Sequence, residues 1–104
     1  MAAEQLELLV LKTLALEPLH GYGIGRRIEQ VSGGVFSVTL GSLYPALQRL
    51  EKGGFVEAEW KASENGRRAR YYRLTAAGRR RLSVEQREWE RVAAAVTRVL
   101  KATS

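Results

Sequence analysis

Apolar positions follow a helical period through residue 54, an alternating one from 55 to 74, and a helical one again to the C-terminus. Glu4–Leu16 reads as the first helix. Leu6, Leu9, Val10 and Thr13 share one row that Leu14 widens, and Leu8, Leu11 and Ala15 fill another. A helix apolar over so much of its circumference is expected to be covered from two sides, by its own domain and by a partner. Pro18 stops it. His20-Gly21-Tyr22-Gly23 is a turn feeding a second helix, Gly23 to Val31. There Ile24, Ile28 and Val31 fall at i, i+4 and i+7, and Arg26, Arg27, Glu29 and Gln30 are solvated. Ser32-Gly33-Gly34 ends that helix, and residues 35–38 form a short extended link.

Residues 39–53 then form a helix with two unlike faces. At about 100° per residue, Leu40, Leu43, Tyr44, Leu47 and Leu50 share one side, while Ser42, Pro45, Arg49 and Lys52 fall opposite. Thr39 is a fit N-cap, and Gly53-Gly54 is a stop signal. Pro45 is costly inside a helix, because its ring meets the carbonyl four residues back; here that residue is Gly41, whose freer backbone absorbs the strain. Glu51 is the exception, projecting on the apolar side in the last turn.

From Phe55 the period becomes two. Phe55, Val56, Ala58 and Trp60 alternate with Glu57, Glu59 and Lys61, and Arg70–Leu74 supplies a second strand rich in β-formers. Asn65-Gly66 between them is a hairpin-turn signal. In this ribbon Glu57 and Glu59 face Arg73 or Tyr71. A lone two-stranded hairpin is marginal, so it is expected to lean on the helices through Val56, Trp60, Tyr72 and Leu74. Thr75 caps a last helix that runs from Ala76 to near Leu100. Leu82, Trp89, Val92, Val96 and Val99 recur at spacings of 7, 3, 4 and 3, the seam of a paired coil broken once at Glu85. A helix of about 25 residues spans about 37 Å, more than so small a core can cover, so the remaining stripe is expected to pack on another subunit.

The fold class that emerges is mainly α with a small β-hairpin. It is a winged helix-turn-helix over residues 1–75, followed by a long C-terminal dimerisation helix, 76–104, which packs as one unit with the first helix. Charge sharpens this picture. The chain carries a formal net charge of +6, yet Lys61–Arg81 holds eight basic residues and one acid, hence +7, leaving −1 for the rest. Cations so concentrated suit a polyanion; an ordinary solvated charge run is the plain alternative. Cysteine is absent, which excludes disulfides and thiolate chemistry. The apolar run Leu6–Leu16 contains Glu7 and Lys12, has no basic leader and is too short to span a bilayer, so a soluble cytoplasmic protein without membrane attachment is expected. The single histidine, His20, supports neither a metal site nor a nucleophile-and-base pair, and a turn hydrogen bond is its expected use. Gly21, Gly23 and Gly25 follow no strand, so they make no dinucleotide fingerprint. No cofactor and no catalytic activity are expected.

Three ordered segments resemble the PadR-like transcriptional regulators: His20-Gly21-Tyr22-Gly23-Ile24, residues 41–51 from Gly41 to Glu51, and residues 66–78 from Gly66 to Gly78. The similarity covers about residues 5–100 and looks like the compact branch with a single final helix. Gly23, where that family often carries a polar side chain, and Ala69, which interrupts the basic run, are small departures. The resemblance implies a dimeric winged-helix repressor, with helix 39–53 in the major groove and the wing, 61–73, along the backbone or minor groove. It also implies pairing through the final and first helices, which adds Leu9 to the interface. Some members of the family respond to small aromatic or drug-like ligands near that interface.

On both grounds the expected DNA-contacting residues are Tyr22, Thr39, Ser42, Tyr44, Pro45, Arg49, Lys52, Arg67, Arg68 and Arg70. Thr39 and Ser42 have phosphate or capping duties; Arg49 or Lys52 reads bases or backbone. For Tyr44 and Tyr22 core packing competes with phosphate contact. Arg79, Arg80 and Arg81 read as a solvated helix start. The expected dimer interface is Leu9, Leu82, Trp89, Val92, Val96 and Val99. Trp89 either packs in that interface or forms an aromatic wall for a planar effector. The expected partners are therefore a palindromic double-stranded operator and a second copy of the chain. The rival reading is a winged-helix module that grips an acidic protein or RNA without specific DNA binding.

Overall fold

Three of the four helices start where a side chain accepts a backbone amide of the first turn. The computed structural model describes residues 1–103. Helix α1, Ala3–Leu16, gives way to extended backbone at Glu17, the residue before Pro18. Strand β1, Leu19–His20, follows, and then helix α2, Gly21–Val31. The His20 Nδ1 atom caps α2 by accepting the Gly23 amide at 3.0 Å, which is the turn hydrogen bond expected of it. Helix α3, Leu40–Lys52, is capped by Thr39, whose hydroxyl accepts the Ser42 amide. Strands β2, Val56–Ala62, and β3, Arg68–Leu74, form the hairpin. Helix α4, Ala76–Lys101, is capped by Thr75, which accepts the Gly78 amide and donates to the Gly54 carbonyl.

The hairpin is one part of a three-stranded antiparallel sheet in the order β1-β3-β2. Leu19 pairs with Tyr72 and His20 with Tyr71. Two residues are too few for a periodic signal, so this strand is invisible in the sequence, and α2 starts two residues earlier than the pattern suggests. Glu57 lies opposite Arg73 and Glu59 opposite Tyr71, with Glu57 and Arg73 ion-paired. At the tip, the Ser63 amide bonds the Arg67 carbonyl and the Gly66 amide bonds the Ser63 carbonyl. Gly66 has φ +80°. This is a three-residue loop closed by a left-handed glycine, a G1-bulge arrangement, rather than a two-residue turn.

The core gathers Leu6, Val10, Leu11 and Leu14 from α1, Ile24 and Ile28 from α2, and Leu43, Ala46, Leu47 and Leu50 from α3. Val56 and Tyr72 join it from the sheet and Leu82 from α4. Four details depart from the sequence pattern. Val31 is exposed, because α2 has run past the core by its last residue. Trp60 is exposed as well, although its place on β2 faces the same side as Val56 and Ala58, and the Arg68 guanidinium rather than the core stands over its ring. Glu29 is not simply solvated, since its carboxylate accepts the Val38 amide at 3.2 Å and braces the link between α2 and α3. Glu7, a charged residue in α1, is buried.

Gly78 explains how α4 meets the sheet. A Cβ there would lie 2.6 Å from Leu74 Cδ1 and inside contact distance of the Phe55 carbonyl oxygen. Beyond its first turns α4 leaves the core, its buried residues being Gly78 and Leu82. At 26 residues it is about 39 Å long, and it stretches the molecule to 60 × 28 × 21 Å.

Candidate nucleic-acid interface

The buried stripe of α3 is Leu43, Ala46, Leu47 and Leu50. Rotating by about 100° per residue puts Gly41, Pro45, Gln48 and Lys52 directly opposite, and all four are exposed. Tyr44 and Leu40 flank this outward face on one side, Ser42 and Arg49 on the other. Leu40 and Tyr44 are 47% and 44% exposed, so neither belongs to the anchoring side on which the leucine row places them. Ala46 is buried instead, at the edge of the stripe away from Leu40 and Tyr44. Gln48 is missed by the sequence pattern although its type carries a signal: a glutamine amide can pair with adenine in the major groove.

The helix start is ordered by short polar side chains. Thr39 Oγ1 accepts the Ser42 amide at 3.2 Å and donates to Ser42 Oγ at 3.1 Å. Thr39 is thus occupied as a cap, and Ser42 keeps its own proton for an outside acceptor. Tyr44 lies against the first turn of α2: a Cβ at Gly21 would come within 3.0 Å of its hydroxyl. Tyr22 is exposed at the same end of α2, its hydroxyl accepting from Arg26 at 3.2 Å. Tyr44 thus packs its hydroxyl end on α2 while part of its ring stays exposed, and Tyr22 is the more exposed of the two; a phenol at such a place suits phosphate contact.

The cations separate into held and free. Arg49 Nε donates to Glu7 Oε2 at 2.9 Å, so this side chain turns back toward α1 instead of standing clear on the outward face. Arg70 is likewise tied, to Glu51 at 2.6 Å. This pair explains the odd acid of α3 and braces the helix C-terminus against β3. Arg81 is not a solvated side chain either. It bonds both Glu7 and Glu85 and lies 4.6 Å from the centre of the Phe55 ring. Burial opposes its charge, but hydrogen bonds and attraction from Glu85 and Glu7 outweigh it and raise the guanidinium's pKa above its usual value. Lys52, Arg67 and Arg68, by contrast, are exposed and take part in no ion pair among the described residues. The Arg68 guanidinium stands over the exposed Trp60 ring at 5.7 Å, and the Lys61 ammonium over Tyr71 at 4.4 Å. The outward face of α3 and the wing thus offer hydroxyls, an amide and free cations.

A second exposed surface runs along α4. Trp89, Val92, Val96, Val99 and Leu100 are exposed in one stripe. Leu82 is 8% exposed and packs in the core of its own subunit, so it is not free to form an interface. Leu9 is partly buried against the same core. Between α1 and α4 lies an open groove of about 510 Å³, lined in part by Gln5, Leu8, Glu85, Trp89 and Val92. Among the described residues no cluster of His, Asp or Glu could hold a metal ion, and no helix is long and apolar enough to cross a membrane.

Known proteins share this arrangement. The family model for the transcriptional regulator PadR-like family matches residues 10–84. Over 65 residues the chain is 38% identical to a transcriptional regulator of Mycobacterium tuberculosis, covering 62% of this chain and 60% of that one. Over 96 residues, 92% of this chain, it is 43% identical to an uncharacterised 37.1 kDa transposon protein of Streptomyces fradiae, of which it spans 26%. The crystal structure of a PadR-like transcriptional regulator from Bacillus cereus superimposes with a TM-score of 0.83 at 28% identity, covering 96% of this chain and 95% of that one. With a family match across most of its length and a fold shared from end to end, the chain belongs to the PadR-like family of transcriptional regulators.

Proposed function

We propose that the chain acts as a homodimeric repressor that binds an inverted-repeat operator, inserting the outward face of α3 into the major groove and laying the wing along the backbone. The supporting observation is that this face carries Pro45, Gln48 and Lys52 with Ser42 on its flank, and that the one acid of α3, Glu51, is held by Arg70. Glu7, bonded to Arg49 on the flank of this face, is likewise matched by arginines, and Glu29, beside the start of α3, is turned to the Val38 amide. Gln48 and Lys52 project most directly and take base edges or backbone; Ser42, Tyr44 and Tyr22 take phosphates; Arg67 and Arg68 supply sequence-independent attraction. Residues 1–75 carry these contacts and 76–104 the pairing, through Trp89, Val92, Val96 and Val99 with Leu9 alongside. A twofold pair presents two equivalent helices and requires half-sites about one helical turn apart.

Selection of bound sequences from random duplexes tests the proposal. Recovery of a palindrome that outcompetes random DNA by a large factor is the expected result; equal competition by any duplex would reject it in favour of a general polyanion grip. The groove beside Trp89 extends the proposal to a planar aromatic effector. Quenching of fluorescence by such compounds, lost in Trp89→Phe while Trp60 still emits, is the corresponding readout.

A further inference from the structure

Glu7 is 8% exposed, yet it carries a charge and faces the interior. An unpaired buried carboxylate is costly, and this one is matched on both oxygens. Its Oε2 accepts from Arg49 Nε of α3 at 2.9 Å, and its Oε1 accepts from Arg81 Nη2 of α4 at 3.0 Å. Arg81 has further support, from Glu85 at 2.9 Å and from the face of Phe55. Among the described residues Arg49 has none: it is held there through Nε alone, and its side chain is 49% exposed, against 28% for Arg81. Arg49 also stands two helical turns from Ser42 on the same flank of α3, beside the outward face. The weakest arm of the cluster is therefore the cation nearest the proposed DNA surface.

We propose that Glu7 is a positioning residue for DNA binding, one that latches Arg49 to α1 and keeps its charge off the phosphates. This rests on the proposed function above, since it concerns the same surface. Glu7 competes with phosphate for one guanidinium per subunit, and Arg81 shares Glu7's charge, so the latch is set by α4 as well as by α1. Arg81 and Glu85 also line the groove between those helices, which places the latch between the pairing helix and the DNA-facing helix.

A double-mutant cycle read by salt titration tests this on the full chain. Each neutralised phosphate adds about 0.9 to the slope of log affinity against log salt. Glu7→Gln keeps the shape and hydrogen-bonding oxygen but removes the charge. It is expected to tighten binding to specific and random duplexes alike and to steepen the slope by about 0.9 per half-site. Arg49→Ala in the Glu7→Gln background should abolish that gain. Arg49→Ala in the wild-type background should leave the slope unchanged, because the latched arginine touches no phosphate. An unchanged slope in Glu7→Gln, or a flattened one in Arg49→Ala alone, would overturn the latch. If Glu7→Gln fails to fold, the single Arg49→Ala titration decides, with an unchanged slope supporting the latch and a flattened one rejecting it. A wild-type protein that shows no salt-dependent DNA binding would instead defeat the underlying reading, visibly and before any variant is made.

Discussion

Gly78 and Tyr72 show how much of this fold turns on single side chains. Any Cβ at Gly78 collides with the Phe55 carbonyl and Leu74, and backbone cannot move aside as a flexible side chain can. Gly78→Ala is therefore expected to cost roughly 1–3 kcal/mol, the usual range for overpacking, and to lower the thermal midpoint. A melting curve matching wild type would show that α4 can shift away from the sheet. Tyr72 is buried where β3 meets the core, and that burial raises its phenol pKa, with Glu51 and Tyr44 adding to the rise and Arg70 opposing it. The neutral phenol is thus favoured by folding. Its contribution is complete below the unfolded-state pKa of about 10 and is lost as pH rises past that value. Denaturant titrations at rising alkaline pH should show stability falling from about pH 10, with a shallower fall in Tyr72→Phe. An identical fall in both proteins would assign the alkaline loss elsewhere.

Among the elements, the wing owes its stability to partners that its own pattern does not show. β1 adds a third strand, and Glu51 of α3 holds Arg70. The wing's cations therefore have different tasks: Arg70 braces it, while Arg67 and Arg68 remain available. Arg67→Ala with Arg68→Ala should weaken binding to all duplexes and flatten the salt slope by about 0.9 for each phosphate no longer neutralised, whereas Arg70→Ala should change it less. Equal flattening by Arg70→Ala would mean that Glu51 releases its arginine to DNA. Within α3, the difference between outward and anchoring faces comes down to Ala46. Leucine spacing alone draws the apolar arc toward Leu40 and Tyr44, because a small residue gives no hydrophobic signal. Its burial turns the helix so that Gln48 and Lys52 stand on either side of the centre of the free face.

At the scale of the whole molecule, α4 extends far past the core with an apolar stripe uncovered in the single subunit. Burying such a stripe is favourable by roughly 25 cal/mol per Å² of apolar surface, and a second copy of the same helix supplies a matching stripe. Val92→Glu combined with Val96→Glu is expected to convert a dimer into a folded monomer, since both positions are exposed and the subunit core is untouched. Sedimentation velocity checks the mass, and circular dichroism the fold. A monomeric wild type, or a dimer that survives both substitutions, would remove the twofold basis of the operator reading.

Local pattern alone determined the order of helices, the change of period at Phe55, the caps at Thr39 and Thr75, and the concentration of positive charge between Lys61 and Arg81. Each of these depends on neighbours within a turn or two of chain, so the residues carry them wherever the chain goes. Tertiary structure decided which cations are free. Glu7 and Arg49 are 42 residues apart, Glu51 and Arg70 are 19 apart, and Arg81 reaches Glu7 across 74. An ion pair forms wherever packing brings opposite charges together, and no periodicity in the sequence records that meeting. The two-residue β1, the exposure of Trp60 and the burial of Leu82 belong to the same class, because each depends on where another element lies.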